Sequence, residues 1–126
     1  MADAETIVTI ETASRQYVRT DPVFLEHVVE LRDDLVRAGI EVVSGDGRGQ
    51  KGFGDVEPIV QAVVLGGPGL LALCGVVKLW LKQRGGRLLR MTVEVRDGKH
   101  VVELDGKNVS DETLLAFSKD VAKRLE

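Results

Sequence analysis

The side chains able to do chemistry are few and scattered along the chain. Gly47-x-Gly49-x-x-Gly52 has the outward form of a dinucleotide fingerprint. Such a site needs an acidic residue about twenty positions onward, at the end of the next strand. The apolar Leu71-Ala72-Leu73 stands there instead, and no Gly-Lys-Ser/Thr follows to hold phosphate and magnesium. Arg48 and Lys51 remain as cations that could attract an anion, so a small-ligand or nucleotide-phosphate binder using residues 45–54 is one alternative reading. His27 and His100 have no Cys or His at ligand spacing, and no metal is expected. His27 is expected on the rim of a helix and His100 on a solvated strand. Cys74, between Leu73 and Gly75 in an apolar run, is expected to be an inert core thiol. Asp33 and Asp34 are adjacent on a helix and point apart, and Ser14, Ser44, Ser110 and Ser118 stand in no nucleophile context. The expectation is therefore no catalytic residue, no cofactor and no enzyme.

Trp80 is the most distinctive side chain. Lys78 and Lys82 flank it, Arg84 lies one turn on, and Arg87 follows, giving an aromatic ringed by cations of the kind that anchors partners. The competing reading closes the core with the ring while the charges reach outward along their aliphatic stems. With Arg48, Lys51 and Phe53 of the glycine loop, these residues form the candidate partner-binding set: Trp80, Lys78, Lys82, Arg84, Arg87, Arg48, Lys51 and Phe53.

These residues must be positioned by a chain of 126 residues, 44% hydrophobic and 29% charged, enough for one domain, 1–126, with a single modest core. A pI near 5.4 argues against coating nucleic acid, and 4% aromatics supply no stacking platform for single strands. Charge is unevenly spread: residues 1–46 hold ten acids and four bases, residues 78–99 seven bases and two acids. Two oppositely charged faces would follow if those segments face opposite sides. The Met-Ala-Asp-Ala start lacks the pattern of a secretory signal, and one cysteine closes no internal disulfide, which together suit a cytoplasmic protein.

The β-branched run Ile7 to Ile10 predicts a first strand, after a flexible 1–5. Thr20 or Asp21 can cap a helix with Pro22 at its first position and Phe24, Val28, Leu31 and Leu35 along one stripe. Gly39 would end it and Ile40 to Val43 form a second strand, most simply through a right-handed parallel crossover. Residues 44–54 hold five glycines and no period, which predicts a mobile loop over 45–54. Met91 to Val95 and His100 to Leu104 flank Asp97-Gly98, a hairpin signal. Ser110 can cap a last helix with Leu114, Phe117, Val121 and Leu125 on its buried side.

Pro58 to Val77 is twenty residues without a charge, long enough to cross a bilayer as a helix. Gly66-Gly67-Pro68-Gly69 sits at its centre, where each Gly costs about 1 kcal/mol and Pro about 3 kcal/mol in a helix interior. The stretch therefore reads as two buried helices, roughly 55–65 and 69–83. A membrane-proximal adaptor using 58–77 and a self-association face are the alternatives. The expected architecture is α+β, β-α-β-α-α-β-β-α, with a mixed sheet ending in an antiparallel hairpin and packed by helices.

Leu35-Val36-Arg37-Ala38-Gly39, the Gly-rich loop, Asp55 through Gly66-Gly67-Pro68-Gly69 to Trp80-Leu81-Lys82-Gln83-Arg84, the hairpin Met91–Leu104, and Asn108-Val109-Ser110-Asp111 with Leu114-Leu115 carry a family resemblance. Over roughly residues 16–117 the chain resembles the effector-associated constant component proteins of bacterial conflict systems. It departs from that pattern at Gly52-Phe53-Gly54, where a methionine beside glycine is expected. The resemblance implies a compact non-catalytic component of a defence or signalling assembly, docking to an effector such as a peptidase or NTPase encoded nearby. No catalytic residue, cofactor or nucleic acid is implied, membrane contact is not expected, and a homo-oligomer is compatible with it.

Overall fold

The computed structural model describes residues 5–18, 20–43, 59–95 and 98–125. Strand β1 (Glu5–Ser14) leads to helix α1 (Pro22–Arg37), then β2 (Glu41–Val43), β3 (Ile59–Leu65), α2 (Gly66–Gln83), β4 (Arg87–Val95), β5 (Gly98–Asp105) and α3 (Asp111–Leu125). The strands form one sheet in the order β2-β3-β1-β4-β5, and every neighbouring pair is antiparallel. The domain is α+β, as the residue pattern implies. The sheet is antiparallel rather than mixed because β3 inserts between β1 and β2. Those two strands do run in the same direction, as a crossover requires, but they are not neighbours.

The first half of the charge-free stretch is corrected from helix to strand. Over β3, Val60, Ala62 and Val64 are buried while Ile59, Gln61 and Val63 are half-buried and Leu65 is exposed, the period-2 alternation of a strand. The glycine break holds. Gly66, at φ +66°, turns the chain out of β3 and directly into α2, a conformation that only glycine adopts cheaply.

Helix α1 begins as its residues dictate: the Asp21 carboxylate accepts the Val23 N–H at 2.8 Å, and Pro22 opens the first turn. It ends in a Schellman arrangement, with the Ile40 N–H donating to the Leu35 carbonyl at 3.0 Å, the Gly39 N–H to the Val36 carbonyl at 3.0 Å, and Gly39 at φ +85°. At the start of α3 the Ser110 hydroxyl accepts the Thr113 N–H at 3.1 Å.

Alternate residues of each long strand, Val8 and Ile10, Val60 to Val64, Leu89 to Val93, and Leu104, join side chains from all three helices in one buried cluster. The domain is thus a two-layer stack with the helices on one sheet face. Ile7, Arg90, Val101 and Glu103 lie on the other face, which no described element covers.

Candidate functional site

Helix α2 occupies the middle of the helical layer, in contact with α1 on one side and α3 on the other. Its inner stripe is Leu70, Leu73, Cys74, Val77, Trp80 and Leu81, all buried. Trp80 therefore falls on the core side, with no exposed surface. Its indole Nε1 donates to the His27 carbonyl of α1 at 2.8 Å, satisfying the one polar atom that burial would otherwise orphan.

Arg87 lies beneath that ring. It is the first residue of β4, in the same alternation as Leu89, Met91 and Val93, so its side chain points inward and is only 1% exposed. Its guanidinium carbon stands 4.2 Å from the Trp80 ring centroid, Nη1 donates to the Trp80 carbonyl at 2.6 Å, and Nη2 reaches Glu30 of α1 at 3.1 Å. Arg87 Nε is buried without a hydrogen-bond partner. Burial lowers the pKa of this guanidinium and Glu30 partly opposes the shift, yet an arginine stays charged at any pH a protein meets. His27 completes the cluster. Its ring meets Tyr17 edge-on at 5.8 Å and Phe24 at 6.3 Å, and burial first, then the charge of Arg87, hold its pKa below 6.5. The rim position expected for His27 is thus replaced by a core position.

The structure splits the residues singled out around Trp80 into two groups. Trp80 and Arg87 tie α1, α2 and β4 together from inside, which matches the reading in which the ring closes the core. Lys82 and Arg84 are exposed at the C-terminal end of α2, and Lys78 pairs with Asp111 of α3 at 2.6 Å, drawing that carboxyl below its usual pKa. Arg84 borders a shallow cleft with Glu30, Asp34 and Gln83. Arg48, Lys51 and Phe53, with the whole 45–54 loop and its glycine fingerprint, lie outside the described residues.

Charge polarity also changes on folding. Antiparallel β1–β4 pairing brings Arg90 to within 3.7 Å of Glu11, and Arg90 meets Glu103 of β5 at 2.8 Å. With Arg87 on Glu30, the acidic first part of the chain lies against the basic later part rather than opposite it. A cleft of about 540 Å³ on the open sheet face, bordered by Ala13, Arg15, Leu88, Arg90, Glu103 and Asp105, is closed electrostatically in the same way. Arg15 pairs there with Asp105 at 3.2 Å.

Cys74 and His100 both contact α3. Cys74 packs against α3 with its Sγ 3.5 Å from the Ser118 hydroxyl, and burial pushes the thiol pKa up. His100, expected in solvent, is only partly exposed; its Nε2 lies 2.9 Å from Asp120 and its ring 5.6 Å from that of Phe117, both on α3. Among the described residues no three His, Cys, Asp or Glu side chains gather to hold a metal ion.

One surface feature involves no reactive side chain. Helix α2 is apolar on its outer side as well: Pro68, the adjacent pair Leu71 and Ala72, Gly75 and Leu79 recur at helical spacings of three to four, with Leu71 46% and Leu79 64% exposed. A Cβ placed on Gly75 would meet nothing within 4 Å among the described residues, so none of them requires glycine there. The available signal was the low contrast between the two faces of α2, since a helix apolar all round is ordinarily covered all round. Among the described residues no helix is long and apolar enough to cross a membrane.

These features define a small two-layer α+β domain with a tightly tied interior and an apolar outer helix face. Its family is the one described as Effector Associated Constant Component 1, which matches residues 25–122, and the chain belongs to it. No curated protein and no solved structure matches the chain.

Proposed function

We propose that this domain is a non-enzymatic component of a bacterial conflict or signalling system that docks an effector protein on the outer face of α2. The observation that carries this reading is the stripe Leu71–Ala72–Gly75–Leu79, exposed along a helix whose inner side already fills the core. Lys82 and Arg84 border the end of that stripe. The complementary partner surface has apolar side chains at its centre and carboxylates at the rim facing those two cations. Gly75 admits a partner's backbone closely. The family description, an effector-associated component, supplies the class of partner.

The test is co-expression with a candidate effector, such as a peptidase or NTPase, followed by affinity capture and titration. Covering a leucine contributes about 1.5–3 kcal/mol, so Leu79→Asp is expected to weaken capture by at least about tenfold. The pair Lys82→Glu and Arg84→Glu is expected to slow association and reduce its salt dependence. Unchanged capture by Leu71→Asp/Leu79→Asp, in a variant that melts like the wild type, would remove this face from the interaction.

A further inference from the structure

The two edges of the sheet are unlike. At one end β2 has three residues, too short to recruit another strand. At the other, β5 has eight residues in continuous register with β4 from Leu88–Asp105 to Val95–Gly98, with no proline and no bulge. Such an edge is a template for a further strand unless something covers or repels it. Side chains of α3 meet β5 through His100, on the helical side of the sheet.

Peptide groups along this edge are oriented by the turn that follows. The Asp105 N–H donates to Asn108 Oδ1 at 2.7 Å, and the Glu103 carbonyl accepts from Asn108 Nδ2 at 3.4 Å, so both groups point away from β4. Antiparallel pairing alternates, which turns the N–H and C=O of Lys99 and Val101 to the free edge as well. The side chains of the same odd-numbered residues lie on the open sheet face: Lys99, Val101 (half exposed) and Glu103.

Charge then selects an occupant. Lys-x-Val-x-Glu reads as its own complement when reversed. In an antiparallel pair of two β5 strands centred on Val101, Val101 faces Val101, and Lys99 of each copy faces Glu103 of the other. In that register each of the three odd-numbered residues meets an odd-numbered residue with its peptide groups turned the right way, the Glu103 carbonyl taking the Lys99 N–H of the second copy on the lone pair that Asn108 Nδ2 leaves free. Both contacts of Arg90 with Glu103 fall on Oε2, leaving Oε1 for the incoming ammonium, and among the described residues Lys99 has no ion-pair partner. We propose that β5 is a homodimer interface in which two copies join edge to edge in this register, extending the sheet across a two-fold axis perpendicular to it.

The experiment is sedimentation of the purified chain alone, over a concentration series, so it is independent of any effector. The wild type is expected to dimerise with rising concentration. Lys99→Glu and Glu103→Lys each replace two attractive cross-strand pairs by two repulsive ones and are expected to weaken the dimer about tenfold. The double variant Lys99→Glu/Glu103→Lys restores opposite charges and is expected to return to within about threefold of the wild type. Val101→Pro removes a donor that faces the edge rather than β4, and is expected to leave the monomer folded and the dimer lost. A wild type that stays monomeric throughout, a double variant no tighter than the singles, or a folded Val101→Pro that still dimerises would each overturn the proposal. The first of these outcomes would leave the edge free for a strand of another protein.

Discussion

Replacing Arg87 tests the claim that the Trp80 cluster is internal scaffolding. Arg87→Ala removes a charge-assisted hydrogen bond to the Trp80 carbonyl, a contribution of about 1.5–3 kcal/mol. It also removes a cation stacked on a buried indole, about 0.5–2 kcal/mol. The Glu30 contact adds little, because that carboxylate is 47% exposed and keeps much of its hydration. Against these stand the desolvation of the guanidinium and its unpartnered Nε, both relieved by the substitution. The net loss is about 2–3 kcal/mol, which for a chain of this length lowers the melting temperature by roughly 8–12 °C. Arg87→Met keeps the volume and drops the charge, and should recover about half of that loss. Urea and thermal unfolding followed by Trp80 fluorescence read all three proteins. An Arg87→Ala variant within about 0.5 kcal/mol of the wild type, or a Glu30→Gln variant that loses as much as Arg87→Ala, would refute the account. The same burial governs docking experiments. Trp80→Ala empties a core site at a cost of about 3–5 kcal/mol, so a lost interaction in that variant reports unfolding, whereas Leu79→Asp probes the surface.

Two further outcomes follow from the same contacts. His27 has a folded-state pKa below its unfolded value of 6.5, so it contributes no pH dependence above that value. As pH falls below 6.5 the unfolded chain binds a proton that the folded one refuses, and stability declines until the lowered folded pKa is reached. Urea midpoints of the wild type should therefore slope downward across that window, and the slope should flatten in His27→Gln; an identical slope in both would contradict the burial argument. Gly75→Ala places a methyl in open space within a helix, and chemical denaturation of the isolated chain should show a gain of about 1 kcal/mol. A loss would mean that some part of the chain already occupies that space.

Local signals were legible wherever one residue fixed one backbone event. Asp21 with Pro22 starts α1, Gly39 stops it, Ser110 caps α3, and β4 and β5 pair as the antiparallel neighbours that the hairpin signal implied. Residues 59–65 were not legible as a strand because Ile59, Val63 and Leu65 are apolar on the open face while Val60, Ala62 and Val64 are apolar on the core face. With both faces apolar the period-2 contrast vanishes, and a buried strand reads like a buried helix. The insertion of β3 between β1 and β2 is a long-range choice that no local pattern encodes. For Trp80 the neighbours misled: Lys78 and Lys82, two positions away on a helix, point to other sides, while the residues three and four before it, Val77 and Val76, turn toward the core. Arg87 looked like one more surface cation, and only its parity with Leu89, Met91 and Val93 in β4 places it inside.

The outer face of α2 and the free edge of β5 do not compete. A two-fold axis perpendicular to the sheet, the axis required for antiparallel β5 pairing, puts the helical layers of both copies on the same side. Both α2 faces then point in one direction, as a pair. Two docking faces joined in such a dimer would convert the second contact with an oligomeric or repetitive effector into an intramolecular event, raising avidity without any new contact. Substitutions at Lys99 and Glu103 would then weaken capture of such an effector while leaving untouched the affinity of a single α2 face, whereas Leu79→Asp would weaken both. Titrating monomeric and oligomeric forms of the effector against the two classes of variant separates the edge from the face.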